Sequence, residues 1–135
     1  MSIKSLIYSP ETWVGGSTNP PREALEGLRS SFLGRPLTQS FDTVRHERVG
    51  TVVEATLNTD TGELHIVVDI PCTNEAAVRD TVTEKPYLGL EFMQIGDRKD
   101  IVIALRVFFL SKDKLVNDVG PFIIIKETDG HPAPK

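Results

Sequence analysis

The sequence predicts an α+β fold, a mostly antiparallel β-barrel or curled sheet of about six strands with two peripheral helices. Three observations lead to this fold class. Residues 49–57 and 64–70 alternate apolar and polar side chains, as paired strands do, and residues 101–110 form an apolar run rich in β-branched and aromatic residues. Residues 20–34 instead carry apolar residues at helical spacing. Predicted strands outnumber predicted helices, so a sheet is expected to form the core.

The chain begins with a predicted strand at residues 3–8. Residues 9–21 hold prolines, glycines and Trp13, which predicts a loop or extended arm with an exposed-looking tryptophan. A plain loop whose one tryptophan is buried fits the same residues, and the sequence leaves both interpretations open.

The first helix has clear end signals. Asn19 suits the cap, Pro20 suits the first helical position and Gly34 suits the position after the end. The predicted apolar face consists of Leu25, Leu28, Phe32 and Leu33.

The alternating segments 49–57 and 64–70 predict a β-hairpin, the strongest local prediction in the chain. In its first strand, one face is predicted to carry Val49, Thr51, Val53, Ala55 and Leu57. The connection NTDTGE, residues 58–63, lacks the ligand spacing of an EF-hand, so a tight turn is a better interpretation than a calcium loop.

The second half predicts one more helix and three strands. The helix covers residues 73–83, and the strands cover 87–95, 101–110 and 121–126. Residues 127–135 are polar and predict a loose tail.

The chain is predicted to form a single domain, because 135 residues suffice for one core and are too few for two. Within it, residues 1–21 form the N-terminal strand and arm, residues 22–126 the core, and residues 127–135 the tail.

Composition argues against several classes of function. The net charge is −4 and the basic residues are scattered, whereas nucleic-acid binding draws its affinity from clustered cations. No apolar run has the length of a membrane span, and the N-terminus lacks the pattern of a signal peptide. The single cysteine excludes an internal disulfide and a multi-cysteine metal site. We therefore expect no nucleic acid, membrane, metal or cofactor.

The histidines and the cysteine have simple structural explanations. His65 is expected at the rim of a strand, His131 in the tail, and His46 in a charged connector where a general base would need a nearby nucleophile. Cys72 precedes a predicted helix, where its pKa can fall, although a lone cysteine is more often a small packed hydrophobe.

Glu91 is the unusual residue of the apolar strand YLGLEFM. If Leu90 and Phe92 face the core, Glu91 faces the other side and can be solvent-exposed. If both faces are covered, its charge needs a partner such as Arg106 or Lys99.

The order of elements over roughly residues 34–110 resembles the phage prohead maturation proteases, whose fold resembles that of the herpesvirus assemblins. The elements that carry the resemblance are Pro-Leu-Thr at 36–38, the Val-Gly strand and hairpin, the helix EAAVRDTV, and the Gly-Leu pair at 89–90. The resemblance implies a fold that cuts scaffold and capsid proteins during head assembly.

Both catalytic positions depart from the family pattern. The family places a histidine three residues after Pro-Leu-Thr, followed by an aspartate; this chain has Phe41 and Asp42 there. The family nucleophile is a serine after Gly-Leu, where this chain has Glu91. Phenylalanine cannot accept a proton, and a carboxylate would repel a developing oxyanion.

The resemblance therefore implies a catalytically inactive member used as a structural protein of a phage head, most simply a decoration or cement protein. The implied partner is the major capsid protein, with self-association as a further option, and the implied location is the capsid surface of a virion assembled in the host cytoplasm. Trp13 and Val14 are the candidate partner contacts, because aromatic anchors often carry interface energy.

Two other functions stay open at this stage. One is an active maturation protease with rearranged catalytic residues, in which His46 replaces the base. The other is a protein-binding module of non-viral origin with a similar barrel.

Overall fold

A computed structural model describes residues 1–14, 20–40, 48–115 and 119–126. These residues form eight strands and two α-helices. The strands are β1 (Ser2–Ser9), β2 (Thr12–Trp13), β3 (Pro36–Thr38), β4 (Arg48–Asn58), β5 (Glu63–Asp69), β6 (Tyr87–Ile95), β7 (Arg98–Leu110) and β8 (Ile123–Lys126). The helices are α1 (Leu25–Phe32) and α2 (Cys72–Glu84). The α+β class predicted from the sequence is confirmed.

The strands make one curled sheet in the order β2-β1-β5-β4-β3-β7-β6, with β8 also paired to β1. The sheet is mixed rather than mostly antiparallel, and it has eight strands rather than about six. The parallel pair is β3 with β7, and the chain between these two strands contains β4, β5, α2 and β6. Such a pair requires a long crossover, which the local hairpin patterns of the sequence do not reveal.

Side chains from the two ends of the strand order meet. The ring of Trp13 on β2 lies 5.0 Å from the ring of Phe92 on β6, centroid to centroid. The Phe122 N–H, just before β8, donates to the Pro86 carbonyl, just before β6, at 2.9 Å. The sheet therefore curls far enough for its first and last strands to share one core.

Trp13 is 1% exposed, so of the two interpretations that the sequence left open the structure selects the buried tryptophan. The chain turns back after β1, pairs Tyr8 with Trp13, and continues with a hydrogen bond from the Val14 N–H to the Ile7 carbonyl. Residues 12–14 thus pack on the sheet instead of forming an arm, because the large indole gains more from burial than from exposure. Val14 is half-buried beside it.

Helix α1 packs against β4 and β7. Its buried residues are Leu25, Leu28 and Phe32, as the apolar spacing predicts, whereas Leu33 is exposed. The helix begins later than predicted, after a 3₁₀ turn at Arg22–Ala24, and Asn19 lies outside the described residues. Gly34 follows the helix with φ of +82°, a conformation that favours glycine.

Strands β4 and β5 form the predicted hairpin, closed by a tight turn. The Asn58 side chain accepts hydrogen bonds from the Asp60 and Thr61 N–H groups, at 2.9 and 3.2 Å. A β-bulge between Val52 and Glu54 shifts the register, so the predicted alternation is wrong in its middle. As a result Val53 is exposed while Val52 is buried.

None of the helices among the described residues is long and apolar enough to cross a membrane.

Candidate functional site

This chain departs from the family's catalytic pattern at Phe41 and Glu91, and the structure describes only the second of these two positions. Phe41, Asp42, His46 and His131 lie outside the described residues. Glu91 lies on β6, directly opposite Arg106 on β7. Glu91 is therefore the position from which the site can be built.

Glu91 forms an ion pair with Arg106. The Arg106 Nε donates to the Glu91 Oε1 at 2.8 Å, and the two side chains are 5% and 39% exposed, respectively. Because the guanidinium is buried, it needs a nearby anion to offset the loss of its hydration. The structure thus selects Arg106 from the two partners that the sequence suggested, while the Lys99 side chain lies outside the described part.

The same guanidinium also holds the end of β3. Arg106 Nη1 donates to the Thr38 hydroxyl at 2.8 Å and to the Ser40 carbonyl at 3.1 Å. The Thr38 hydroxyl in turn donates to the Ser40 carbonyl at 3.2 Å. Thr38 is fully buried, so these contacts satisfy a hydroxyl that has no access to water.

An aromatic ring lies beside the cation. The guanidinium carbon of Arg106 lies 5.2 Å from the ring centroid of Phe108, two residues along β7, which is within cation–π range. The ring covers Gly89 on β6, where an added Cβ would lie 2.6 Å from Phe108 Cζ. Glycine at position 89 is therefore what lets the ring lie flat against the sheet. We call Thr38, Ser40, Glu91, Arg106 and Phe108 the Arg106 cluster.

Gln39 connects the Arg106 cluster to α2. Its side-chain amide donates to the Ala77 carbonyl at 2.9 Å and accepts from the Thr81 hydroxyl at 2.9 Å. Both contacts span a long stretch of sequence, so they fix the helix against the end of β3.

The chemistry of the Arg106 cluster is that of a structural network. Arginine stays protonated and cannot act as a general base. The Thr38 hydroxyl accepts one hydrogen bond and donates another, so it is not poised towards a base as an activated nucleophile would be. The Glu91 carboxylate is held by a cation.

The other candidate residues lie apart from this cluster. The pKa of His65 on β5 is lowered from its ordinary value by burial and, to a smaller extent, by Lys4, while Glu63 acts in the opposite direction. Neither Lys4 nor Glu63 belongs to the Arg106 cluster. Cys72 is exposed at the first position of α2. Within the described ranges, no three His, Cys, Asp or Glu side chains come together as a metal site.

A shallow cleft of about 270 Å³ lies elsewhere, between the N-terminal segment and the turn of the β4–β5 hairpin. Its lining includes Tyr8, Arg22 and Asp60, and Pro10 packs against Gly62, which has φ of +76°. Sequence reasoning did not find this cleft, because its residues come from three separate segments. The one signal that the sequence offered for this cleft is Gly62, the glycine of the hairpin turn.

Sequence reasoning also missed Thr38 as a partner of Arg106. The two residues are 68 positions apart and meet through the parallel pairing of β3 with β7. The available signal was Arg106 itself, a cation within an otherwise apolar strand.

Comparison with models of known protein families and with curated proteins finds no match to this chain.

Proposed function

We propose that this protein is a non-enzymatic structural protein of a phage head, most simply a capsid decoration or cement protein built on an inactive prohead-protease-like fold. The observation that carries the proposal is the ion pair between Glu91 and Arg106. It occupies the position where the resemblance requires a nucleophilic serine.

The ion pair supports an inactive fold for a physical reason. An acyl-transfer site needs a nucleophile, a base within hydrogen-bond reach and donors aimed at the oxyanion. At position 91 the chain places an anion, and the buried donor opposite it, Arg106, is already bonded to Glu91, Thr38 and the Ser40 carbonyl. A site of this kind stabilises the junction of β3, β6 and β7 rather than a transition state.

The assignment to a phage head rests on the resemblance of residues 34–110. It is tested by the copy number of this protein in purified mature particles of the phage that encodes it, measured against the major capsid protein by quantitative mass spectrometry. A fixed ratio, one copy per capsid subunit or per fixed group of subunits, supports a decoration or cement protein. Absence from mature particles with presence in immature ones contradicts this role and favours the active protease.

The lack of catalysis has its own test. The purified protein is incubated with a serine-reactive fluorophosphonate probe and, separately, with its capsid and scaffold proteins. We expect neither labelling nor cleavage. Labelling of one serine that is lost on heat denaturation, or cleavage that persists in a Phe41→Ala variant, would show a rearranged protease.

A further inference from the structure

The cleft between the N-terminal segment and the hairpin turn has the composition of a small-molecule site. Its apolar lining comes from Tyr8, Pro10 and Leu25, and its charged lining comes from Arg22 and Asp60. Ligand sites generally combine a mainly apolar surface with a few polar groups that fix orientation. The volume of about 270 Å³ is at the lower end of the range for such sites, so the ligand must be small.

The Tyr8 hydroxyl is the group in this cleft that calls for a ligand. Tyr8 is 7% exposed, and its ring packs edge-on against Trp13. Within the described part of the chain the hydroxyl has no hydrogen-bond partner, although its oxygen is accessible. The hydroxyl of a buried tyrosine usually has a partner. Because the accessible part of Tyr8 lines the cleft, a molecule in the cleft can supply that partner.

Two opposite charges line the same cleft without pairing. Arg22 Nη2 donates to the Thr59 carbonyl at 3.1 Å, which holds the guanidinium beside the hairpin turn. Asp60 is the next residue of that turn, and its N–H donates to the Asn58 side chain at 2.9 Å. Among the residues that the structure describes, neither Arg22 nor Asp60 forms an ion pair. The guanidinium has further N–H donors and the carboxylate has its acceptors, so both can bind one ligand.

We propose that this cleft binds a free α-amino acid with an apolar side chain. Arg22 and the Tyr8 hydroxyl donate hydrogen bonds to the ligand carboxylate, and Asp60 accepts from the ligand ammonium. The apolar side chain of the ligand packs on Leu25 and Pro10. A ligand with one charge would face a like charge at the other side of the cleft, whereas a zwitterion complements both.

Both charged side chains are exposed, so we expect weak binding. L-Leucine is the probe, because its side chain is apolar and small. A titration to about 20 mM, followed by amide chemical shifts in NMR spectra, covers a dissociation constant of about 1 mM. The shifts should saturate and should be largest at Leu25, Asp60 and Gly62.

Two analogues of leucine test the need for both charges. Leucinamide keeps the ammonium without the carboxylate, and N-acetylleucine keeps the carboxylate without the ammonium. Each should bind about threefold to fivefold more weakly than leucine, which is the effect of losing one exposed charge contact. If both analogues bind as tightly as leucine, the cleft holds only the apolar side chain and the proposal is overturned.

The orientation of the ligand has a sharper test. Arg22→Gln should weaken the binding of leucine and N-acetylleucine but leave that of leucinamide unchanged. Asp60→Asn should weaken the binding of leucine and leucinamide but leave that of N-acetylleucine unchanged. The matched controls are Arg79→Gln and Asp80→Asn, which change exposed charges on α2 and should bind all three compounds like the wild type.

Tyr8→Phe removes the hydroxyl and keeps the ring against Trp13. It should weaken leucine binding about fivefold, the usual effect of losing one neutral hydrogen bond. Circular dichroism shows whether each variant is folded, and the Arg22 and Asp60 variants carry the test if Tyr8→Phe is not. Shifts that do not saturate, or an equal loss of binding in the control variants, would overturn the proposal.

This inference is independent of the proposed role in a phage head. The cleft can bind an amino acid whether or not the protein binds a capsid. The copy-number measurement can fail while leucine binding is found, so the two outcomes are separable.

Discussion

The Arg106 guanidinium is a buried cation that donates hydrogen bonds to three residues within the described part of the chain. Its partners are the Glu91 carboxylate, the Thr38 hydroxyl and the Ser40 carbonyl. Removing a buried cation leaves each of these acceptors to find another donor, and an acceptor that finds none loses free energy. Position 106 is therefore where a single substitution affects three strands.

We expect Arg106→Leu to lower the free energy of unfolding by about 3 kcal/mol, the lower end of the range for breaking a buried ion pair. The lower end applies because Glu91 remains 39% exposed and can recruit water. Urea denaturation measures the change as a shift of midpoint at constant slope.

The double variant Glu91→Leu/Arg106→Leu is the control. It removes both charges, so it should recover at least about 1 kcal/mol relative to the sum of the single variants. Additive losses would show that the two side chains do not depend on each other.

Gly89 makes a second prediction at the residue scale. An added Cβ would overlap the Phe108 ring, whose face covers the glycine. Gly89→Ala should therefore displace the ring and destabilise the protein by about 1–3 kcal/mol, the usual cost of overpacking.

Gly27 is the matched position, because it lies in α1 and an added Cβ meets no atom within 4 Å. Gly27→Ala should stabilise the protein by about 0.5–1 kcal/mol through helix propensity. Similar unfolding midpoints for the two variants would contradict the described packing of Phe108.

His65 predicts a dependence of stability on pH. Its pKa in the folded protein is lowered from the ordinary value of 6.5, mainly by burial. The unfolded chain keeps the ordinary pKa, so it takes up the proton first as pH falls through 6.5. The free energy of unfolding therefore decreases as pH falls from there through the lower pKa of the folded protein. Well above 6.5 both states are neutral, and this residue contributes no pH dependence.

Thermal denaturation in steps from about pH 7.5 to about pH 5 follows this decrease, in the window where histidine titrates. His65→Gln should flatten the profile and leave any part that comes from other groups. Profiles of identical slope in the two proteins would show that burial of His65 does not affect its titration.

At the scale of the elements, the six strands expected from the sequence are all present, because each has enough residues for a periodic pattern. Strands β2 and β3 were missed because two or three residues cannot show a period. The bulge in β4 was missed for a different reason: the apolar Val53 fits a regular alternation, and only the partner strand reveals the extra residue.

The candidate site, like the sheet, was predictable in part from the sequence. Glu91 and its partner Arg106 stand out as charges within apolar strands, which made the ion pair predictable. Thr38 and Gln39 do not stand out, since polar residues at the end of a short strand are ordinary. Their roles follow only from the parallel pairing of β3 with β7 and from the position of α2.

Helix α2 is held mainly by polar contacts. Val78 is its one fully buried residue, and its first turn has no side-chain cap. Gln39 bridges it to β3, and the Asn74 amide donates to the Val49 carbonyl at 3.1 Å. Elements with little apolar burial open most easily.

We expect Gln39→Ala to speed hydrogen exchange of the α2 amides by about tenfold, which corresponds to the loss of about 1.4 kcal/mol of local stability. Amides of β5 should exchange as before. Gln94→Ala, a change to an exposed glutamine on β6, is the control and should leave α2 unaffected. Equal exchange of α2 in both variants would mean that the Gln39 bridge contributes nothing.

At the scale of the whole molecule, an aromatic contact joins the two ends of the sheet. Trp13 packs edge-on against Phe92 at 5.0 Å and also against Tyr8 at 6.5 Å. Such pairs add to the free energy gained by burying the rings themselves. If this contact holds the curled sheet closed, the burial of the Trp13 indole reports whether the first and last strands share one core.

Trp13 is the single tryptophan of the chain, so its fluorescence measures this closure directly. We expect blue-shifted emission and weak quenching by acrylamide in the native protein, because the indole is buried. Phe92→Ala should shift the emission towards that of the unfolded chain, increase quenching and cost about 3 kcal/mol of stability. Leu33→Ala, at an exposed position, should change none of these. If the native emission matched that of the unfolded chain, Trp13 would be exposed and would again be a candidate partner contact. Other contacts would then have to hold the sheet closed.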